Sequence, residues 1–443
     1  MLTIVEARHE IDAGRISAVE LVEDALGAID RRQELNAYLR VDREGAIEAA
    51  RAAERDGDGP LAGIPICVKD VLDVAGMPTT AGASGWSRHP ASDALTVARL
   101  RRAGAVIVGK GNTNEFAFGI DGRNPHWGDC RNPHDPARMT AGSTSGPAAA
   151  TAAGLALAGI GTDTSGSLRA PASLCGLVAI RPTHGLVPTQ GVVPLAPSYD
   201  TVGPIARTVA DVSILFDVIA GDAGGPAPAQ GSDDLRGVRI GVLEQFLGER
   251  CSRVVADAVR GAADLLRSAG AEVEPVELPG LDDVDDMHRT IQYSEAAASH
   301  SPWFEDQRPR YAPDVLDRLE RGAAVLARDY LLAQRKLALL REQAASAFSA
   351  LDAALAPATP VAAPRRDAQD VDIDGRSVPV RAALLSFTVP LTQPGGPVVA
   401  VPLGDDGGLP FGLQIIGRPH SDREVLRIAA AYRRLAGFGV PEP

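Results

Sequence analysis

From Gly63 onward, short apolar runs alternate with helical patterns, and this alternation limits what the chain can fold into more than any other feature. Residues 64–68 read as a strand, 93–103 as a helix and 105–109 as a strand. Residues 238–243, 254–269 and 271–278 repeat the strand–helix–strand order. Residues 353–358, 398–402 and 411–417 then read as strands, and 424–435 as a closing helix. Strands this apolar need cover on both sides, so the pattern predicts an α/β fold, a sheet with helices on both faces. Apolar residues make up 45% of the 443, enough for a sizeable core; aromatic residues make up only 4%, so that core must be built from Ala, Val, Leu and Ile.

Ser17-Ala18-Val19-Glu20 is a capping box opening a helix with Leu21, Ala25, Leu26 and Ile29 on one face. Leu316, Leu319, Ala323, Leu326, Tyr330, Ala333, Leu337, Leu340 and Ala344 step by three and four, which predicts one long helix. Its stripe reads as core packing, with a dimer seam as the alternative. Residues 221–237 are rich in Gly, Pro, Ala and Asp and form the best linker candidate. Because the late strands can complete the sheet begun before it, residues 1–443 are expected to form one domain. Its parts are a helical segment at 1–60, a core at 61–220, a loop at 221–237 and a part at 238–443 that completes the sheet.

A formal charge of −13 argues against nucleic acid or an anionic membrane as partner, since those contacts need clustered Lys and Arg. No apolar run approaches the ~20 residues needed to span a bilayer. The N-terminus lacks the order of a secretory signal. Cys67, Cys130, Cys175 and Cys251 show no CxxC spacing. Dispersed thiols in a chain of this length suggest a reduced, cytoplasmic protein.

Two glycine-punctuated loops carry small hydroxyl residues, Ala141-Gly142-Ser143-Thr144-Ser145-Gly146 and Gly161-Thr162-Asp163-Thr164-Ser165-Gly166-Ser167. Either loop alone reads as a turn. Ser167, however, follows a turn whose successive N–H groups can converge on one oxygen, and precedes a segment able to start a helix. Lys69 ends an otherwise apolar strand; such a lysine snorkels to solvent or, if buried, becomes a neutral base. A lysine and two serines so placed can support nucleophilic acyl transfer. His89, His126, His134 and His184 sit in no triad pattern.

The segments 63–70, 141–154 and 161–172, continued by Cys175-Gly176-Leu177-Val178-Ala179-Ile180-Arg181-Pro182-Thr183 and by 185–204, resemble the amidase signature family. Weaker similarity runs from the N-terminal helix to Phe411-Gly412-Leu413-Gln414-Ile415-Ile416-Gly417, so the resemblance covers nearly the whole chain. It implies the amidase signature fold, a large mixed, mostly parallel central sheet covered by helices on both faces, and a Ser–cis-Ser–Lys triad falling on Ser167, Ser143 and Lys69. Ser167 would attack the carbonyl, and Ser143, on a cis peptide after Gly142, would relay its proton to Lys69. The backbone amides of Thr164, Ser165, Gly166 and Ser167 would form the oxyanion hole, with Asp163 and Arg169 as supports of the loop. The resemblance calls for no metal and no organic cofactor, and it suggests a homodimer. Ile120, Asp121, Trp127, Thr189, Gln190 and residues 386–393 are candidates for the substrate pocket, although Trp127 reads equally as a core residue.

Two departures from the family pattern stand out. Ala141-Gly142-Ser143-Thr144-Ser145-Gly146-Pro147 replaces a run of Gly-Gly-Ser-Ser-Gly-Gly-Ser, and Ser165 stands where Gly is usual. Ser165 is expected to trim the pocket or to hydrogen-bond the substrate. The resulting expectation is an amidohydrolase acting on a small amide, carbamate or urea-like substrate. The segment from Asp374 to Pro397 is similar to that of carboxybiuret hydrolases, which favours urea-derived or carbamoyl substrates. The resemblance also admits the glutaminase-type subunit of a tRNA-dependent amidotransferase. A binding protein that keeps the fold without turnover fits less well, because Lys69, Ser143 and Ser167 are all present.

Overall fold

The computed structural model describes residues 1–57, 59–221 and 234–437. Most of the expected linker at 221–237 lies outside the described residues. The strands are β1 Tyr38–Val41, β2 Pro65–Lys69, β3 Val106–Gly111, β4 Ala158–Asp163, β5 Val178–Arg181, β6 Thr201–Ala206 and β7 Arg239–Leu243. They continue as β8 Glu272–Val276, β9 Ala353–Pro357, β10 Asp370–Ile373, β11 Arg376–Pro379, β12 Val398–Asp406 and β13 Leu409–Ile416. Eleven of them form one sheet in the order β1-β3-β2-β4-β6-β5-β12-β13-β9-β7-β8, and β10 and β11 form a separate hairpin.

The expected mixed α/β sheet is present, with its parallel character gathered in two blocks. These are β3-β2-β4 toward one edge and β9-β7-β8 at the other. Antiparallel pairs join them through β6, β5, β12 and β13. The reason is local: each parallel pair needs a long crossover, whereas β12 and β13 are joined by a tight Gly407-Gly408 turn. Strands from both sides of 221–237 pair directly, β5 with β12.

The capping box on Ser17 forms as expected: Ser17 Oγ accepts from the Glu20 amide, Glu20 accepts from the Ser17 amide, and Leu21, Ala25, Leu26 and Ile29 are buried. The long helix expected over 316–344 is instead two, Pro313–Ala323 and Ala327–Ala347. Leu326 breaks it by adopting an extended ψ of 145° while remaining exposed. Leu319, Ala333, Leu337, Leu340 and Ala344 are buried, so most of the stripe packs inward.

What positions the site is the close approach of the helix Ser145–Ala152 to the sheet. It is buried all round and built from Ala, Gly, Ser, Thr and Pro. Glycines on the strands beneath make room for it. A Cβ on Gly159 would come within 2.6 Å of Pro147, and one on Gly161 within 2.2 Å of Thr144. The segment before that helix therefore lies directly over the C-terminal ends of the parallel strands β2 and β4, where open α/β sheets place their sites.

Candidate active site

Lys69 is the last residue of β2 and Asp163 the last of β4, its parallel neighbour. Lys69 does not snorkel: its side chain is fully buried. Its Nζ donates to Ser143 Oγ at 2.8 Å and to Thr162 Oγ1 at 2.7 Å. Ser143 Oγ in turn donates to Ser167 Oγ at 3.0 Å. The Gly142–Ser143 peptide is cis. Burial pulls the Lys69 ammonium down to about 7, against the opposing pull of Asp163 and Asp200. A large fraction of Lys69 is thus neutral near neutral pH, and a neutral amine can accept a proton along the same line.

The loop carrying Ser167 is folded around the Asp163 carboxylate. Gly166 and Leu168 donate their amides to it at 2.7 and 3.1 Å, and Arg169 donates through Nε and Nη2, both at 3.0 Å. Arg181 Nε lies 3.6 Å away. Burial alone would raise the Asp163 carboxyl, but the two guanidiniums and the amides override it and hold it at about 2. Arg169 also reaches Thr388 O, Thr392 Oγ1 and Gln414 Oε1, so the loop is tied to the C-terminal part of the sheet.

Gly166 has φ +128°, and a Cβ there would lie 2.4 Å from Thr388. Glycine is needed on both counts. Because Gly166 gives its amide to Asp163, that group is not free for a substrate oxygen. The amides of Thr164, Ser165 and Ser167 meet no acceptor among the described residues. The four-amide expectation therefore narrows to three available donors.

Ala141 has φ +57°, in the left-handed region that penalises a Cβ. That strain costs roughly 1–2 kcal/mol, while a glycine would lose about 0.4–1 kcal/mol more chain entropy. Ala141→Gly is therefore expected to stabilise the fold by up to about 1 kcal/mol, measured as a shift of the urea midpoint at constant slope. Unchanged or lower stability would show that the turn accommodates its methyl without strain.

Ser167 opens into a narrow cavity whose wall includes Phe118, Ile120, Ser165, Gln292 and Arg381. Of the residues expected in the pocket, Ile120 lies there. Asp121 is taken up by Asn114 Nδ2 at 2.8 Å and the Arg123 amide at 3.2 Å. Trp127 is 46% exposed, with its indole N–H on Ala83 O, so it is neither core nor pocket wall. Thr189 and Gln190 are exposed, and their carbonyls accept from Val192 and Leu95. Within 386–393, Thr388 and Thr392 hold Arg169, and Gln393 Nε2 sits 3.1 Å from His288 Nδ1.

The Ser165 hydroxyl is already engaged, 2.8 Å from His288 Nε2 and accepting from Gln292 Nε2 at 3.0 Å. Burial, then the nearby Arg381, pushes His288 down to about 3, so the ring is neutral. No motif or spacing in the chain points to His288 or Gln292. They sit on the helix Val284–His300, more than a hundred residues away along the chain. The four histidines noted in the sequence are occupied elsewhere or exposed; His126, for example, lies between Ser84 and Glu115.

A mixed sheet presenting a lysine–serine–serine line beside free loop amides has the groups that acyl transfer needs. The model of the Amidase family matches residues 20–426, and the chain belongs to that family. It is therefore an amidase-family hydrolase acting on carbon–nitrogen bonds. It is 38% identical over 482 aligned positions to one of the subunits of the glutamyl-tRNA(Gln) amidotransferase of a Roseiflexus species, covering 100% of this chain and 98% of the relative. A crystal structure of an amidase superposes with a TM-score of 0.93 at 34% identity, covering 99% of this chain and 100% of that one. A structure from a vestigial protein complex tied to the origins of an s-triazine catabolic enzyme matches at a TM-score of 0.92 and 32% identity, covering both chains fully. Among the described residues, no helix is long and apolar enough to cross a membrane.

Proposed function

We propose that this chain hydrolyses a small amide, carbamate or urea-like substrate through an acyl-enzyme on Ser167. The observation that carries the reading is the continuous hydrogen-bonded line Lys69–Ser143–Ser167 ending at a small cavity. Neutral Lys69 keeps one N–H on Thr162 and turns its lone pair to the Ser143 hydroxyl. Ser143 then accepts the Ser167 proton as Ser167 Oγ bonds to the carbonyl carbon. The negative charge that develops on the carbonyl oxygen is met by the amides of Ser165, Ser167 and Thr164. Returning the proton through Ser143 to the leaving nitrogen breaks the C–N bond. Water then adds to the acyl carbon by the same relay and frees the acid and Ser167.

The free space beside Ser167 is about 10 Å³, room for about one water and far below the range for drug-sized ligands, which favours a compact substrate. All four cysteines are buried and unpaired, which supports a cytoplasmic setting. Exposed Leu331, Leu332 and Leu339 on one helix support association with a second copy.

The test is release of ammonia or amine by the purified chain alone from a panel of primary amides, anilides, carbamates and ureas. Turnover without a partner supports a stand-alone hydrolase; turnover only with added partner proteins would support the amidotransferase alternative. The pH profile adds a second readout. Only neutral Lys69 can take the proton, so kcat/KM should rise with pH, reach half its plateau near pH 7 and stay flat above. A profile already flat between pH 5 and 8 would remove Lys69 as the base.

A further inference from the structure

One cationic side chain in the cavity has no counterpart. Arg381, on the helix Val380–Leu385, lines the same small space as Ser167, Ser165 and Gln292. It makes no hydrogen bond and no ion pair with any of the described residues. Its neighbours are already committed. Arg318 pairs with Asp314 at 2.7 Å and also donates to the Phe118 carbonyl. Asp121 takes the Asn114 amide and pairs with Arg123 at 3.7 Å.

A guanidinium does not shed its proton, so half-burying one without an anion carries a cost that folding does not recover. Burial and the like charge of Arg318 both press against the charged form of Arg381. His288 cannot relieve it, being a neutral ring whose charged form Arg381 itself opposes. Asp121 and Asp314 favour its charge from a distance, but neither pairs with it, so the cavity beside Ser167 presents a guanidinium without a direct anionic partner. A planar fork of N–H donors matches a carboxylate, and a carboxylate arriving with the substrate would satisfy it.

We infer that the substrate of this site carries a carboxylate close to the scissile C–N bond, and that Arg381 binds it. The inference rests on the amide-hydrolase reading and narrows it from small amides to short amides bearing an acid. The same cavity is lined by the polar Gln292 and Ser165, which are hydrogen-bonded to each other, and by the apolar Phe118 and Ile120.

Two measurements separate this inference from the reading beneath it. The first is turnover of malonamate, succinamate and glutaramate against their neutral methyl esters. The native enzyme is expected to favour the best acid over its ester by about 30-fold or more in kcat/KM, the order given by a charge-assisted pair. Arg381→Met should reduce that ratio to near one, and Arg381→Lys should restore part of it. The second is binding of malonate, succinate and glutarate by calorimetry, which requires no turnover. The tightest of them should bind native protein and lose about tenfold or more in Arg381→Met, whose fold is checked by its unfolding midpoint. An acid-to-ester ratio near one in the native enzyme, or a ratio and dicarboxylate affinity unchanged in Arg381→Met, overturns the inference. Dicarboxylate binding that depends on Arg381 without hydrolysis of any amide would support the anion site and overturn the hydrolase reading instead.

Discussion

Ser167→Ala and Lys69→Met are each expected to lower kcat/KM on the best amide by about 10⁴-fold or more, and the double variant should fall no further than the weaker single. In the proposed mechanism three groups act as one relay, and such groups have no independent shares to lose. Ser167→Ala removes the atom that bonds to the carbonyl, leaving only binding and the loop amides. Lys69→Met keeps the bulk of the side chain but leaves the buried hydroxyls of Ser143 and Thr162 without their common partner. The Ser167 proton then has no acceptor at the end of the line. Because Lys69→Met leaves the cavity wall intact and Ser167→Ala takes only one hydroxyl from it, the loss should fall on kcat, with KM within a few-fold. A fluorophosphonate should label native protein once per chain and fail to label Ser167→Ala. Lys69→Met retaining more than a tenth of native activity would place the base elsewhere. A single labelled site that survives in Ser167→Ala would do the same for the nucleophile.

The central sheet is legible in the sequence because its strands are short, apolar and bounded by Gly, Pro and polar residues. Residues 64–68, 238–243 and 353–358 lie within a residue of β2, β7 and β9. Strands such as β5, β6 and the β10–β11 hairpin are not, since their sequences lack a long apolar run and gain their place from pairing. The break at Leu326 is also invisible, because nothing in the local sequence demands an extended residue there.

The line from Lys69 to Ser167 is legible through its loops, whose residue types are dictated by local chemistry. The wall is not. Ile120 is the exception; Phe118, Gln292 and Arg381 converge from three distant segments with no shared pattern, and only the tertiary fold brings them together. Thr189, Gln190 and Trp127 differ from Ile120 in being exposed and outside the wall of the cavity beside Ser167. Ser165 shows the same division. Its departure from glycine is visible in sequence, but its partners His288 and Gln292 are not.

Asp163→Ala is expected to destabilise the fold by about 3–5 kcal/mol, the cost of leaving a buried charge without its partner. The carboxylate is fully buried and faces two buried guanidiniums, Arg169 and Arg181. Arg169 would keep Thr388, Thr392 and Gln414, but these are neutral acceptors and cannot offset its charge. Asp163→Asn should cost less than Asp163→Ala, since an amide oxygen can still accept from the loop. The pH dependence has a definite sign. The Asp163 carboxyl is held at about 2 in the fold, below its unfolded value, so its contribution is present above the unfolded value and is lost as pH falls toward 2. Urea unfolding at pH 7 and again near pH 3 should therefore show the gap between native protein and Asp163→Ala shrinking with acid. The same substitution frees the Gly166 amide and loosens the turn that aims the amides of Ser165 and Ser167. Activity in whatever remains folded at pH 7 should accordingly drop on kcat. Asp163→Ala with native unfolding behaviour and native kcat would show that the loop holds its shape through Arg169 and Thr388 alone.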